Sequence, residues 1–168
     1  MPQVGINIGS NLGDRRAHLR YAIAELQRLT GCATCKVSAV YETKAWGYLS
    51  DSPFFNVGLE LDTELPPEQL LDICQSVEAA GGSSPHRTPE GGYADRELDI
   101  DIVYYGDCRI SSPRLTLPHP RLQDRGFVLL PLAELSPQWV HPVLGKTAAC
   151  LLAELSQRED LTAKKTLL

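Results

Sequence analysis

Apolar and polar positions alternate with a period of two in four stretches of the chain and recur at helical spacing in three others. QVGINI at 3–8 predicts a strand, followed by the turn GSNLGD at 9–14. The next segment, 15–29, places Leu19, Ile23, Leu26 and Leu29 on one helical face, with Asp14 as its cap. CKVSAVYET at 35–43 reads as a second strand. PFFNVGLELDT at 53–63 reads as a third, with Phe55, Val57, Leu59 and Leu61 sharing a face. LPPEQLLDICQSVEAA at 65–80 predicts a helix with Pro67 in its first turn. Residues 81–95 are rich in Gly, Pro and Ser and read as a long loop, more often a lid than filler at that length. ELDIDIVYY at 97–105 is the fourth strand. Residues 117–137 mix turns with short helical pieces, 146–155 form a last helix, and the tail from 158 is expected to fray. The order strand, helix, strand, strand, helix, strand is a split βαβ unit. It predicts the α+β class: a ferredoxin-like, mostly antiparallel four-stranded sheet with helices on one face. No repeat, low-complexity tract or compositional break divides the chain, so 1–168 is read as a single domain.

The fourth strand breaks its own pattern. Asp99 and Asp101 interrupt an apolar run, and Asp is a poor strand former. Residues two apart point the same way, so both carboxylates share a face, roughly 6–7 Å apart at the backbone. Leu98, Ile100 and Ile102 take the other face and fit a core. Two such carboxylates repel each other and cost desolvation unless arginine or a divalent cation compensates. A solvated strand face is the plain alternative for either Asp alone. The same-face pair among apolar residues favours metal or ion-pair use.

Composition narrows the picture. At 168 residues the chain is long enough for a real core, and 43% hydrophobic with 22% charged residues is ordinary for a globule. A net charge of −5 argues against a general nucleic-acid binder. No apolar run reaches membrane-spanning length, and the N-terminus lacks the pattern of a signal peptide, so no membrane role is expected. Five cysteines are too few and odd in number for a disulfide scaffold, which predicts a reduced, cytoplasmic protein. Cys32 and Cys35 form a lone C-x-x-C ahead of a strand, without the second pair of a zinc site or the context of a redox motif.

Six of the eleven arginines, Arg87, Arg96, Arg109, Arg114, Arg121 and Arg125, fall between 87 and 125, and no lysine lies between Lys44 and Lys146. Arg109 and Arg121 read as solvated surface residues. Arginine's planar fork suits phosphate oxygens, and His119 sits in the same segment. With the aspartate pair, the segment offers both halves of a phosphoryl-transfer site: carboxylates to hold Mg²⁺ and arginines to neutralise polyphosphate. Trp46, Phe54, Tyr93 and Phe127 lie in or beside loops, and Asn56 offers both a donor and an acceptor. Aromatic walls plus an amide suit a planar heterocycle, with core packing as the rival reading for each ring. GSNLGD lacks the GK[ST] of a Walker A loop, and Gly9 is read as a tight turn permitting close backbone approach. No GxSxG or HExxH is present, so the serine and zinc hydrolase readings have no support.

IGSNLGD, YET, FFN, RELDIDIVYYGD and LTLPHPRLQDRGFVLLPLAEL, in that order from about residue 4 to 142, resemble 6-hydroxymethyl-7,8-dihydropterin pyrophosphokinases of folate biosynthesis. The resemblance implies a ferredoxin-like fold and transfer of the β,γ-pyrophosphoryl group of ATP to the pterin hydroxymethyl group, with release of AMP. It implies two Mg²⁺ ions on Asp99 and Asp101, with Arg96 as a further catalytic residue. It implies ATP contacts from Arg96, Arg114, His119 and Arg125. Gln75, Glu78, Ile102, Leu115 and Thr116 would line the nucleotide. The pterin would lie between Phe54 and Phe127, read by Asn56 and by backbone near Thr43. Gly9 and Trp46 would line its pocket, and Tyr93, standing where the family has a loop tryptophan, would cover it.

The chain departs from the family where G-R-x-R usually follows the second helix. Here EAAGGSSPHR puts Ser83 and Pro85 at the arginine positions, with Arg87 two residues later. Lys44 also replaces the proline usual after YET. Two rival readings follow: a non-catalytic homologue that binds nucleotide or pterin, and a metal-dependent nucleotide hydrolase using the same carboxylates.

Overall fold

The computed structural model describes residues 1–43, 53–81 and 97–168. Its elements run β1 (Gln3–Ser10), α1 (Arg15–Thr30), β2 (Lys36–Val37), β3 (Val40–Thr43), β4 (Phe54–Asp62), α2 (Pro67–Ala80) and β5 (Asp99–Tyr105). A small hairpin of β6 (Ile110–Ser111) and β7 (Thr116–Leu117) follows, then α3 (Gly126–Leu135), α4 (Ala148–Arg158) and β8 (Lys164–Thr166).

The sheet order is β5-β1-β4-β3-β8, with β2 also paired to β4, and every pairing is antiparallel. This is the split βαβ order expected of the sequence. One face of the sheet carries an aliphatic cluster: Val4, Ile6 and Ile8 of β1, Val57, Leu59 and Leu61 of β4, and Ile100 and Ile102 of β5. Helices α1 and α2 cover it through Leu19, Ala22, Leu26, Leu70, Cys74 and Val77. Burial of the Cys74 thiol, with Glu78 and Asp101 nearby, pushes its pKa up to about 12, so it stays a packed, protonated thiol.

Local signals shape these elements. Asp14 caps α1, its Oδ1 accepting from the Ala17 N–H at 3.1 Å, and α2 begins at Pro67, whose missing N–H costs nothing there. Helix α1 ends at Gly31, in the left-handed conformation (φ 70°) that glycine adopts freely.

Five expectations change. Helices cover both faces: α3 and α4 add a layer opposite α1 and α2, built on Val103, Tyr104, Val128, Leu129, Leu132, Leu151 and Leu155. The span 117–137 holds one helix of 10 residues, α3, rather than short pieces, despite Pro131 inside it. The second strand is interrupted at Ser38–Ala39, where the Ser38 hydroxyl accepts from the Gly58 N–H. The tail does not fray over 164–166. It pairs with β3 as β8, and Arg16 bonds the Leu167 carbonyl at 2.8 Å. On α1, Ala22 joins the buried stripe with Leu19 and Leu26, while Leu29 lies exposed.

Candidate active site

The strand register assembles a polar row on the face opposite the aliphatic cluster. Asp99 pairs with Gly9, which pairs with Asn56, which pairs with Tyr41. One step along, Asp101 pairs with Asn7, which pairs with Gly58. Asp99 and Asp101 are half-buried while the intervening Ile100 is buried in the core, so both carboxylates do face the same way.

Gly9 is not in a turn, as the sequence reading held, but is the ninth residue of the chain within β1. The close approach it permits is to a side chain: a Cβ there would stand 2.7 Å from the Asn56 Oδ1 and 3.5 Å from the Phe54 ring. Asn56 is buried, and its Nδ2 donates to the Thr43 Oγ1 at 3.4 Å. Gly9, Thr43, Phe54 and Asn56 thus form one patch, a strand away from the aspartates. Phe127 reaches the same face from the first turn of α3, whose Phe127 carbonyl accepts from the Asn7 Nδ2 at 2.9 Å. Asn7 was not singled out in the sequence. An Asn inside QVGINI offers no local sign of its partner 120 residues away.

On the other flank, His119 is anchored by its backbone N–H on the Val103 carbonyl at 2.8 Å, and its Nδ1 accepts from the Arg121 N–H at 3.2 Å. That bond leaves the neutral ring's proton on Nε2. Burial first, then the charge of Arg125, lower the His119 pKa to about 4 against an opposing pull from Asp99, with Arg121 adding a smaller lowering. His119, Arg125 and Asp99 therefore share one electrostatic neighbourhood. Arg125 immediately precedes α3, and its guanidinium carbon lies 5.5 Å from the Phe127 ring centre.

Toward α2, Arg114 pairs with Asp72 at 2.5 Å and Glu68 at 3.3 Å, and donates to the Gln75 Oε1 at 3.3 Å. Ile102 and Leu115 belong to the same apolar cluster, Thr116 is exposed beside it, and Glu78 is buried one turn beyond Gln75. A cavity of about 380 Å³ borders this flank, with Thr116 and His119 among its walls. The structure so brings Gln75 and Arg114 together at one end, with Leu115 next in the chain and part of the apolar cluster that holds Ile102, and Asp99, His119 and Arg125 at the other. Trp46, Tyr93 and Arg96 lie outside the described residues, as do Lys44, Ser83, Pro85 and Arg87.

Among the described residues no group of three or more His, Cys, Asp or Glu is placed to hold a metal ion. Two half-buried carboxylates are nevertheless a fitting donor set for Mg²⁺, which binds through one or two carboxylates and completes its shell with water and substrate phosphates. Gly9, across from Asp99, carries no Cβ, and the space one would take is bounded by Asn56 and Phe54. Among the described residues no helix is long and apolar enough to cross a membrane.

Residues 5–137 match the family model described as 7,8-dihydro-6-hydroxymethylpterin-pyrophosphokinase (HPPK). The chain is 39% identical over 155 residues to the 2-amino-4-hydroxy-6-hydroxymethyldihydropteridine pyrophosphokinase of Methylorubrum extorquens, covering 92% of this chain and 94% of that one. It is 40% identical over 143 residues to the enzyme of the same name from Porphyromonas gingivalis, covering 84% and 95%. A solved structure of wild-type HPPK-DHPS from Plasmodium falciparum superposes with a TM-score of 0.72 at 15% identity, over 98% of this chain and 48% of that one. The chain thus spans about half of that longer protein, and the likeness speaks for the fold. By sequence match over most of its length, this chain belongs to the 7,8-dihydro-6-hydroxymethylpterin-pyrophosphokinase family.

Proposed function

We propose that the chain transfers the pyrophosphoryl group of ATP to the hydroxymethyl group of 6-hydroxymethyl-7,8-dihydropterin and releases AMP, a step of folate biosynthesis. The observation that carries this reading is the shared face of Asp99, Asp101 and Asn56, with Gly9 bridging them across β1. It puts a cation-binding pair one strand from a buried amide flanked by Phe54. Family membership supplies the same activity independently.

Each described side chain has a part. Asn56, held by Thr43, presents its amide to the heterocycle edge, and Phe54 and Phe127 offer aromatic faces to its plane. Gln75, Ile102, Leu115 and Thr116 line the nucleoside, with Arg114 swinging from Asp72 and Glu68 to the nucleotide. Neutral His119 donates from Nε2, and Arg125 brings positive charge to the phosphates. Asp99 and Asp101 would hold Mg²⁺, which when bound supplies charge neutralisation on the triphosphate. Alignment and electrostatics, rather than a covalent intermediate, supply most of the rate in such a transfer. The cysteines Cys32, Cys35, Cys74, Cys108 and Cys150 are all free thiols, in keeping with a reducing cytoplasm as the working compartment.

The test is AMP release from ATP with Mg²⁺, with and without hydroxymethyldihydropterin, with the mass of the pterin product measured. AMP appearing only with pterin, together with a product heavier by a pyrophosphoryl group, is the expected result. AMP without pterin would make the chain a nucleotide hydrolase, and no AMP at all would make it a binding homologue.

A further inference from the structure

Pro131 leaves a gap in α3 that another part of the molecule fills. In an α-helix the N–H of residue 131 would donate to the carbonyl of residue 127, and proline has no N–H to give. The helix is packed on Val128, Leu129 and Leu132, so the abandoned carbonyl has apolar surroundings in which an unmet acceptor is costly. Asn7, only 5% exposed in the middle of β1, aims its Nδ2 at that carbonyl from 2.9 Å. The proline ring itself is seated on Gly58, where a Cβ would come within 2.9 Å of the Pro131 Cβ. Gly58 and Asn7 are register partners, and Asn7 pairs on its other side with Asp101. The fit is therefore specific: proline frees the acceptor, glycine makes room for the proline, and asparagine meets the acceptor.

We propose that Asn7 is a positioning residue for the heterocycle pocket, fixing Phe127 over the sheet by taking up the carbonyl that Pro131 releases. It rests on the reading of Phe127 as an aromatic wall of the pterin site. An ordinary residue at 131 would close the helix's own bond and leave the first turn of α3 without this tie to β1, the far end of the helix still bonded through Glu134 to the Ala39 N–H and the Tyr41 hydroxyl. The proline transfers that acceptor to β1, so the first turn of α3, carrying Arg125 and Phe127, is pinned to the strand that also carries Gly9. The bond ties the aromatic wall, the amide patch and the aspartate row to one strand.

The experiment is a four-protein cycle: wild type, Asn7→Ala, Pro131→Ala and the double variant. Pterin Kd, the KM values for pterin and ATP, kcat and the thermal midpoint are measured for each. Asn7→Ala is expected to weaken pterin binding by about tenfold while the KM for ATP moves less than about twofold. Pro131→Ala restores an N–H at 131, so the double variant is expected to recover most of that tenfold. A double variant no better than Asn7→Ala, or an Asn7→Ala protein that binds pterin as the wild type does, overturns the proposal. If Asn7→Ala does not fold, restored folding in the double variant supports the lock and continued failure overturns it. If the wild type binds no pterin, it is the functional reading that falls, and the same rescue is then read in the thermal midpoint.

Discussion

The two faces of one sheet are made by alternate residues of the same three strands, yet they do opposite work. On the α1–α2 face, β1, β4 and β5 present Val4, Ile6, Ile8, Val57, Leu59, Leu61, Ile100 and Ile102, all close to fully buried. On the α3–α4 face the same strands present Asn7, Gly9, Asn56, Gly58, Glu60, Asp99 and Asp101. The first face is interchangeable aliphatic packing, stabilising at about 25 cal/mol per Å² of apolar area removed from water. The second keeps polar groups that packing alone disfavours, each with a partner to satisfy: Asn7 with the Phe127 carbonyl, Asn56 with Thr43, Glu60 with the Tyr104 hydroxyl at 3.1 Å. A period of two thus separates stability from chemistry on a single ribbon, one residue apart.

The comparison breaks most visibly at the aspartates. Asp99→Ala or Asp101→Ala is expected to lower pyrophosphoryl transfer by at least about 10²–10³-fold with little change in thermal midpoint, since removing a charge-stabilising group costs on that scale. Wild-type turnover in Mg²⁺ by either variant would remove the metal assignment. The reverse substitution belongs to the other face. Ile8→Ala, at a fully buried position directly between Asn7 and Gly9, should cost about 2–5 kcal/mol of stability in denaturant titration. Its kcat, measured on the folded fraction, should stay within a few-fold of wild type, and a kcat loss as large as that of the aspartate variants would show that the faces are not separable.

The smallest effect concerns His119, at the edge between the faces. Its folded-state pKa of about 4 lies below the ordinary 6.5 because the charged form is desolvated and faces Arg125 and Arg121. Between those values the unfolded chain binds more protons than the folded one, so stability rises with pH from about 4 to 6.5 and levels off above. Thermal midpoints across that window should show a shallower rise in His119→Gln than in the wild type. His141, also shifted down by burial and by Arg109, contributes equally to both proteins and cancels. An unchanged slope would place the His119 ring in water.

Local chemistry made much of this legible in advance. Asp14 capping α1, Pro67 opening α2, and Asp99 and Asp101 sharing a face follow from interactions within a few residues. Gly9, Thr43, Phe54 and Asn56 meet in one patch, and the Phe127 carbonyl is bonded to the strand that carries Gly9. The continuity of α3 is not legible locally because Pro131 signals a break, and the carbonyl at 127 takes its donor from β1, far away in the chain. The second helical layer and β8 were missed for a related reason: a C-terminal KKT reads as a polar tail until β3 offers it an edge.

From the chain alone, period and capping determined the split βαβ order, the aliphatic face and the common direction of the two carboxylates, because each of these depends on neighbours in sequence. Only the tertiary structure decided that Gly9 lies between Asp99 and Asn56 and that Asn7 meets the carbonyl freed by Pro131. Those pairings join residues 47 to 120 positions apart, and no local propensity encodes a partner at that distance.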